Sequence, residues 1–194
     1  MAGIVGPILF AAVVTGLTVA QADFMRTLGW NPRGPVIDWP SGLALGPYGW
    51  LMTVTFFACG AMMAFFAYGL KVALKDKLAT TLLMIAGFAM MGLIAATDRT
   101  LSAAPRTWHG LLHDGFFALL GFTMMPGMLL LGRVFQKNEE WKNLALYTWG
   151  TLAFVIPTFW LKGVAFYVFL LAILTWSVVI ALWLRSSQRR LLAE

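Results

Sequence analysis

Long stretches without charge limit what this chain can fold into more than any other feature. Six apolar segments follow one another, at about residues 3–22, 48–70, 78–97, 109–132, 143–161 and 163–184. About 20 residues of helix, rising 1.5 Å each, cross the hydrocarbon core of a bilayer. Backbone amides in lipid must be paired within the protein, so continuous apolar runs predict helices; a barrel would need alternating strands of about ten residues. The expected fold class is all-α, a polytopic membrane bundle of six transmembrane helices that takes up residues 1–194 as one membrane domain. Charged residues make up 11% of the chain, against about a quarter in soluble domains, which leaves no room for a separate soluble domain.

Two segments carry irregularities. The run 143–161 is the shortest and contains Pro157, and Pro126 lies in the half of 109–132 expected to be cytoplasmic; both are expected to kink their helices. The first segment ends Ala20-Gln21-Ala22, in the manner of a signal-peptidase site. No lysine or arginine precedes it and its apolar stretch is long, so it is expected to stay as a helix. Cys59, the single cysteine, has no intrachain partner and carries no information about redox compartment.

Basic residues set the expected orientation. Lys71, Lys75 and Lys77, then Arg133, Lys137 and Lys142, then Arg185, Arg189 and Arg190 place nine on one side; Arg26, Arg33, Arg99, Arg106 and Lys162 place five on the other. Both termini are therefore expected in the cytoplasm, in a multi-pass plasma-membrane protein. The net charge of +6 is positive-inside charge, with anionic lipid as a partner for the RSSQRR tail; nucleic acid is not an expected partner. Trp50, Trp108 and Trp160 fall at expected outer ends and Trp141 and Trp183 at inner ends, as interfacial belts do, while Trp149 and Trp176 read as packing. Gly60-x-x-x-Ala64 suits close helix contact. The eleven methionines suit an adaptable apolar cavity better than copper transport, since adjacent pairs point to different helix faces. No phosphate-cradling loop, nucleophile elbow or dinucleotide fingerprint occurs.

The unusual residues gather on the outer side. The first loop, 23–47, is the longest; its prolines and glycines prevent a long helix, yet Phe24, Leu28, Trp30, Val36, Ile37 and Trp39 are too apolar for a solvated linker. A folded cap on the membrane face is expected. The loop 98–107 links Asp98 to His109, which brings Asp98 and the two histidines, His109 and His113, to one depth. Asp114 lies inside an apolar run, where an ionisable group needs a partner; His109, Arg99 and Arg106 are the candidates, and the carboxylate is expected to face the bundle interior.

The run PSGLALGPYGWLMTVTFFACGAMMAFFAYGLKVAL (40–74), the pair Thr97-Asp98 and WHGLLHDGFFALLGF (108–122) together resemble the bacterial and archaeal membrane-protein family known as domain of unknown function 998. The resemblance implies a six-span fold and an outer-face set of Ser41, Asp98, His109, His113 and Asp114, and it implies no activity. Gly42 stands beside Ser41 where the resemblance leads one to expect a second serine.

His109 and His113 are four apart, so their rings share one helix face with Cβ atoms about 5–6 Å apart. That spacing lets two histidines share a zinc ion, with Asp98 as a third ligand and one position open, which is catalytic in form. Asp114 could orient an imidazole, and Ser41 could bind a metal-held water. The plainer reading, a hydrogen-bonded polar network at the interface, carries equal weight. Two classes of function follow. One is a protein that binds or processes an amphiphile, a lipid or a quinone, at this polar site, with a divalent metal such as zinc as a candidate cofactor. The other is a non-catalytic accessory subunit packed against other membrane subunits. Whether the site is enzymatic is open from the sequence.

Overall fold

The computed structural model of the protein describes residues 1–31, 40–98, 106–161 and 164–191, without the side chains of 158–161, 164–165 and 191. Expectations resting on Arg33, Val36, Ile37, Trp39, Arg99 and Lys162, and on the Trp160 side chain, lie outside the described residues. Seven α-helices occur among them: α1 (Ala2–Ala20), α2 (Ala22–Thr27), α3 (Gly49–Leu74), α4 (Leu78–Gly92), α5 (Trp108–Gln136), α6 (Lys142–Leu161) and α7 (Val164–Leu191), with a short 3-10 turn at Ser41–Leu45. No strand is found among the described residues. Four stretches, Ala2–Ala20, Gly49–Leu74, Trp108–Gln136 and Phe166–Arg190, are long and apolar enough to cross a bilayer. Their outward faces are as apolar as their inward ones: Val54, Phe57, Phe65 and Val72 of α3 are exposed. A helix apolar all round is stable only in lipid or in a large core, so this is a multi-pass membrane protein.

The long helices close a ring in the order α1–α3–α4–α5–α6–α7, with α7 returning to α1. Lipid gives no hydrophobic drive between helices, so contact depends on close packing of small residues. At the α3–α4 crossing the Gly60-x-x-x-Ala64 spacing meets Gly87. A Cβ on Gly60 would sit 2.6 Å from the Gly87 carbonyl oxygen, and one on Gly87 would sit 2.7 Å from the Ala64 nitrogen. The two helices are joined by a tight turn in which Lys75 takes a left-handed conformation (φ 55) and Asp76 Oδ1 accepts the Ala79 amide at 2.8 Å. Pro7 inside α1 leaves the Gly3 carbonyl without its helical donor; the Ser177 hydroxyl of α7 donates to it at 3.5 Å.

Element ends depart from the apolar segments in a consistent way. Helices α3, α5 and α7 run on to Leu74, Gln136 and Leu191, because apolarity marks where lipid ends, whereas backbone pairing continues through Lys71, Arg133 and Arg185–Arg190. Helix α4 does the opposite: it stops at Gly92 rather than near 97 and is 15 residues long, so it, and not the 143–161 segment, is the shortest of the ring. Its continuation through Ala95 is a turn whose carbonyls are used by the site below. Trp141 is also not an interfacial anchor. It is 2% exposed and stacks on Phe135 at 5.1 Å, closing the bundle end opposite the cap. Trp50 and Trp108 are exposed at the cap end, as expected of a belt.

The cap itself is built from α2 and the 3-10 turn. Met25 and Leu43 are fully buried, and Trp30 Nε1 donates to the Tyr167 hydroxyl of α7 at 2.9 Å. Gly42 is part of this packing: a Cβ there would press on Met25 and Leu28 at 3.3 Å. Beneath the cap lies an apolar cavity of about 170 Å³. Met63, Met90, Met124 and Met125 contribute to its wall, together with Phe56, Phe117, Leu170 and Trp176.

Candidate functional site

The polar cluster is built around two helix ends. Helix α5 starts after Thr107, whose backbone is extended and whose hydroxyl accepts the Gly110 amide at 3.1 Å, an N-cap that satisfies one of the unpaired donors of the first turn. The Thr107 hydroxyl donates its own proton to Asp98 Oδ1. Its second lone pair faces His109 Nδ1 at 3.0 Å. One donor and two acceptor sites are thus all in use.

Asp98, 8% exposed, receives three groups: the Thr107 hydroxyl, the Thr107 amide at 3.2 Å, and Arg106 Nε as an ion pair at 2.9 Å. The Thr107 hydroxyl bond is the largest influence holding the Asp98 carboxyl below its usual value of 3.8; the Thr107 amide and the Arg106 and His109 charges add to it, against partial burial. Arg106, 20% exposed, reaches on to Asp114 Oδ2, so one guanidinium links two carboxylates. Of the three partners considered for Asp114, the structure provides Arg106. Asp114 is 42% exposed, so it sits at the rim and does not turn into the bundle, as the sequence led one to expect. Arg106 reaches it there, which removes the need to bury the charge.

The two histidines cap the unwound end of α4. His109 Nδ1 lies 3.0 Å from the Ala96 carbonyl oxygen, and His113 Nδ1 lies 2.7 Å from that of Ala95. A carbonyl can only accept, so both Nδ1 atoms carry protons. In the neutral ring the His113 Nε2 lone pair then accepts the Ser41 hydroxyl at 2.9 Å. His113 is buried, and Ser41 forms part of the cavity wall.

All five residues singled out from the sequence therefore come together, in two layers. Ser41 lies in the cavity wall and is backed by His113; Asp98, His109 and Asp114 form the rim with Arg106 and Thr107. The zinc arrangement expected of His109, His113 and Asp98 is a different matter. Among the described residues no three His, Cys, Asp or Glu side chains are grouped to hold a metal ion, because the ring Nδ1 atoms are turned to backbone carbonyls and Asp98 is engaged by Thr107 and Arg106.

Sequence reading passed over three participants, Thr107, Gly110 and Gln21. Thr107 and Gly110 form a Thr-x-x-Gly start to α5, and Thr is a standard N-cap residue. Gly110 is required because a Cβ there would overlap the Asp98 carboxylate; a glycine in an otherwise good helix is a signal of such close approach. Arg106 was only one option among three. Gln21, a lone amide at the end of the first apolar run, is buried: Nε2 donates to the Leu43 carbonyl at 3.1 Å, and Oε1 accepts the Tyr48 amide at 3.0 Å. It ties α1 to the 3-10 turn that carries Ser41 and to the start of α3.

Fold and site together define a class: a helical membrane protein with a half-buried hydroxyl–imidazole pair beside an apolar cavity and a charged rim. A family model described as "Protein of unknown function (DUF998)" matches residues 4–185, nearly the whole chain. The chain belongs to that family. No curated protein and no solved structure matches it.

Proposed function

We propose that the protein is a six-span plasma-membrane protein with both termini cytoplasmic, which binds one amphiphile, a lipid or a quinone, in the cavity under its cap. The carrying observation is the junction of two unlike surfaces. The wall from Trp176 to Phe56 is apolar, and its cap end is Ser41, hydrogen-bonded to His113. An apolar chain or ring fits the wall, and a carbonyl or hydroxyl of the same molecule meets Ser41. Volume narrows the class: a cavity of about 150 Å³ lined by aliphatic and aromatic side chains holds one benzene ring, so about 170 Å³ takes one ring or one short length of chain, not two chains. Phe117 supports entry from the membrane side, being both part of the cavity wall and 40% exposed. The nine-to-five asymmetry of basic residues supports the orientation, and the completed ring, which includes α4 and α6, supports six spans.

The test is native mass spectrometry of the purified protein, offered a quinone, a long-chain alcohol and a diacyl phospholipid in turn. One retained quinone or single-chain molecule per protein is expected, reduced in Ser41→Ala. Equal retention of the phospholipid, or retention unaffected by Ser41→Ala, contradicts the reading.

A further inference from the structure

The hydrogen bonding of Ser41 and His113 sets a direction for proton movement. Ala95 fixes the proton on His113 Nδ1, the Nε2 lone pair is aimed at the Ser41 hydroxyl at 2.9 Å, and the hydroxyl oxygen borders the cavity. A nucleophile within hydrogen-bond reach of a base that a third group orients is the arrangement of acyl-transfer sites. Here the orienting group is a backbone carbonyl in place of a carboxylate; His113 is buried, and Ser41 is half-buried at the cavity wall.

We propose that Ser41 is a nucleophile and His113 its general base, acting on a carboxylic ester of a single alkyl chain seated in the cavity. This rests on the amphiphile reading above. Ser41 Oγ would form a bond to the ester carbonyl carbon as its proton passes to His113 Nε2. The carbon–oxygen bond to the alcohol breaks, and the alcohol leaves with that proton. Water then attacks the acyl-serine, giving its proton to His113, and the carboxylic acid leaves as Ser41 Oγ recovers a proton from His113. No oxidant or metal is needed, and nothing beyond water enters. The rim carboxylates take no part in these steps, since Asp98 and Asp114 are both occupied by Arg106.

A long-chain alkyl fluorophosphonate, which traps activated serines, tests this on the full-length protein in detergent. One adduct on Ser41 is expected, absent in Ser41→Ala and formed about 100-fold or more slowly in His113→Asn, in line with loss of a general base. The asparagine can still donate to the Ala95 carbonyl, and thermal unfolding of each variant confirms that it is folded. A non-hydrolysable alkyl ether is titrated in parallel. Ether binding without a Ser41 adduct overturns the nucleophile and leaves the amphiphile reading standing. Failure of both the ether and the probe overturns both. An adduct that survives Ser41→Ala, or forms at an undiminished rate in His113→Asn, also overturns the proposal.

Discussion

The end of the bundle opposite the cap is closed by rings and aliphatic chains, whereas the cap end is closed by hydrogen bonds. Phe135 stacks on Trp141, and Leu70, Leu131 and Leu144 are buried in the same apolar cluster. At the cap end Gln21, Asp98, Arg106, Thr107, His109, His113 and Ser41 hold together segments far apart in sequence. The contrast has a physical basis. Apolar packing is non-directional and tolerates substitution when volume is kept, but a buried polar group is costly unless each partner is in place. A packed end suits permanent closure. A hydrogen-bonded end can hold one polar group of a ligand at a fixed place beside an apolar space.

Substitutions at the two ends should therefore fail differently. The largest effect is expected from Phe135→Ala, which opens a cavity in the packed end and should cost about 3–5 kcal/mol; unfolding monitored in detergent measures it. A conservative change there, Leu131→Met, should cost less than about 1.5 kcal/mol. At the cap end Gln21→Ala leaves the Tyr48 amide without its acceptor and the Leu43 carbonyl with only the Gly46 amide at 3.4 Å, and should cost about 1–3 kcal/mol for a group left unpaired. Gln21→Glu, equal in volume, should not rescue it, because a carboxylate cannot donate to the Leu43 carbonyl. Equal tolerance of conservative changes at both ends would erase the contrast. Gly110→Ala, a single methyl, should displace the Asp98 carboxylate and lower the unfolding temperature, while Gly115→Ala on the same helix, where a Cβ meets nothing within 4 Å, should not.

Acid sharpens the same comparison with a smaller effect. The folded-state carboxyl of Asp98 is depressed, so the stability it contributes is fully present above the usual value of 3.8 and is lost as pH falls through the lowered one. Unfolding temperature should hold steady with respect to Asp98 from pH 7 to about pH 5 and lose this contribution below 3.8. In Asp98→Asn that part of the acid loss should be missing.

Much of this was legible in the sequence, for reasons that differ by region. Apolar length is a property of each segment alone, so the helices of the ring could be read directly, as could the α3–α4 contact through Gly60 and Ala64. Helix ends could not, because Lys71 and Arg133 stop the apolar run without stopping the helix, and Leu93–Ala95 leave the helix while still apolar. The site was legible as a set of residues, since ionisable groups within apolar runs stand out. Its connections were not. The i, i+4 spacing of His109 and His113 suggested shared metal binding, but which atoms the rings meet depends on where α4 unwinds, and that is set by packing between helices. The placement of Asp114 failed for a related reason: its partner arrives from the rim through Arg106.

The most direct test of the central claim, that the space under Ser41 and His113 is a binding site, uses Gly121. It forms part of the cavity wall, and a Cβ there meets nothing within 4 Å. Gly121→Leu should fill the space while changing stability by no more than about 1 kcal/mol, the helix-propensity gain over glycine. Titration of a single-chain alcohol or quinone against the wild type and this variant should show affinity at least about tenfold weaker in the variant, as expected for roughly 1–3 kcal/mol of overpacking. Unchanged affinity in a folded Gly121→Leu protein would contradict the account.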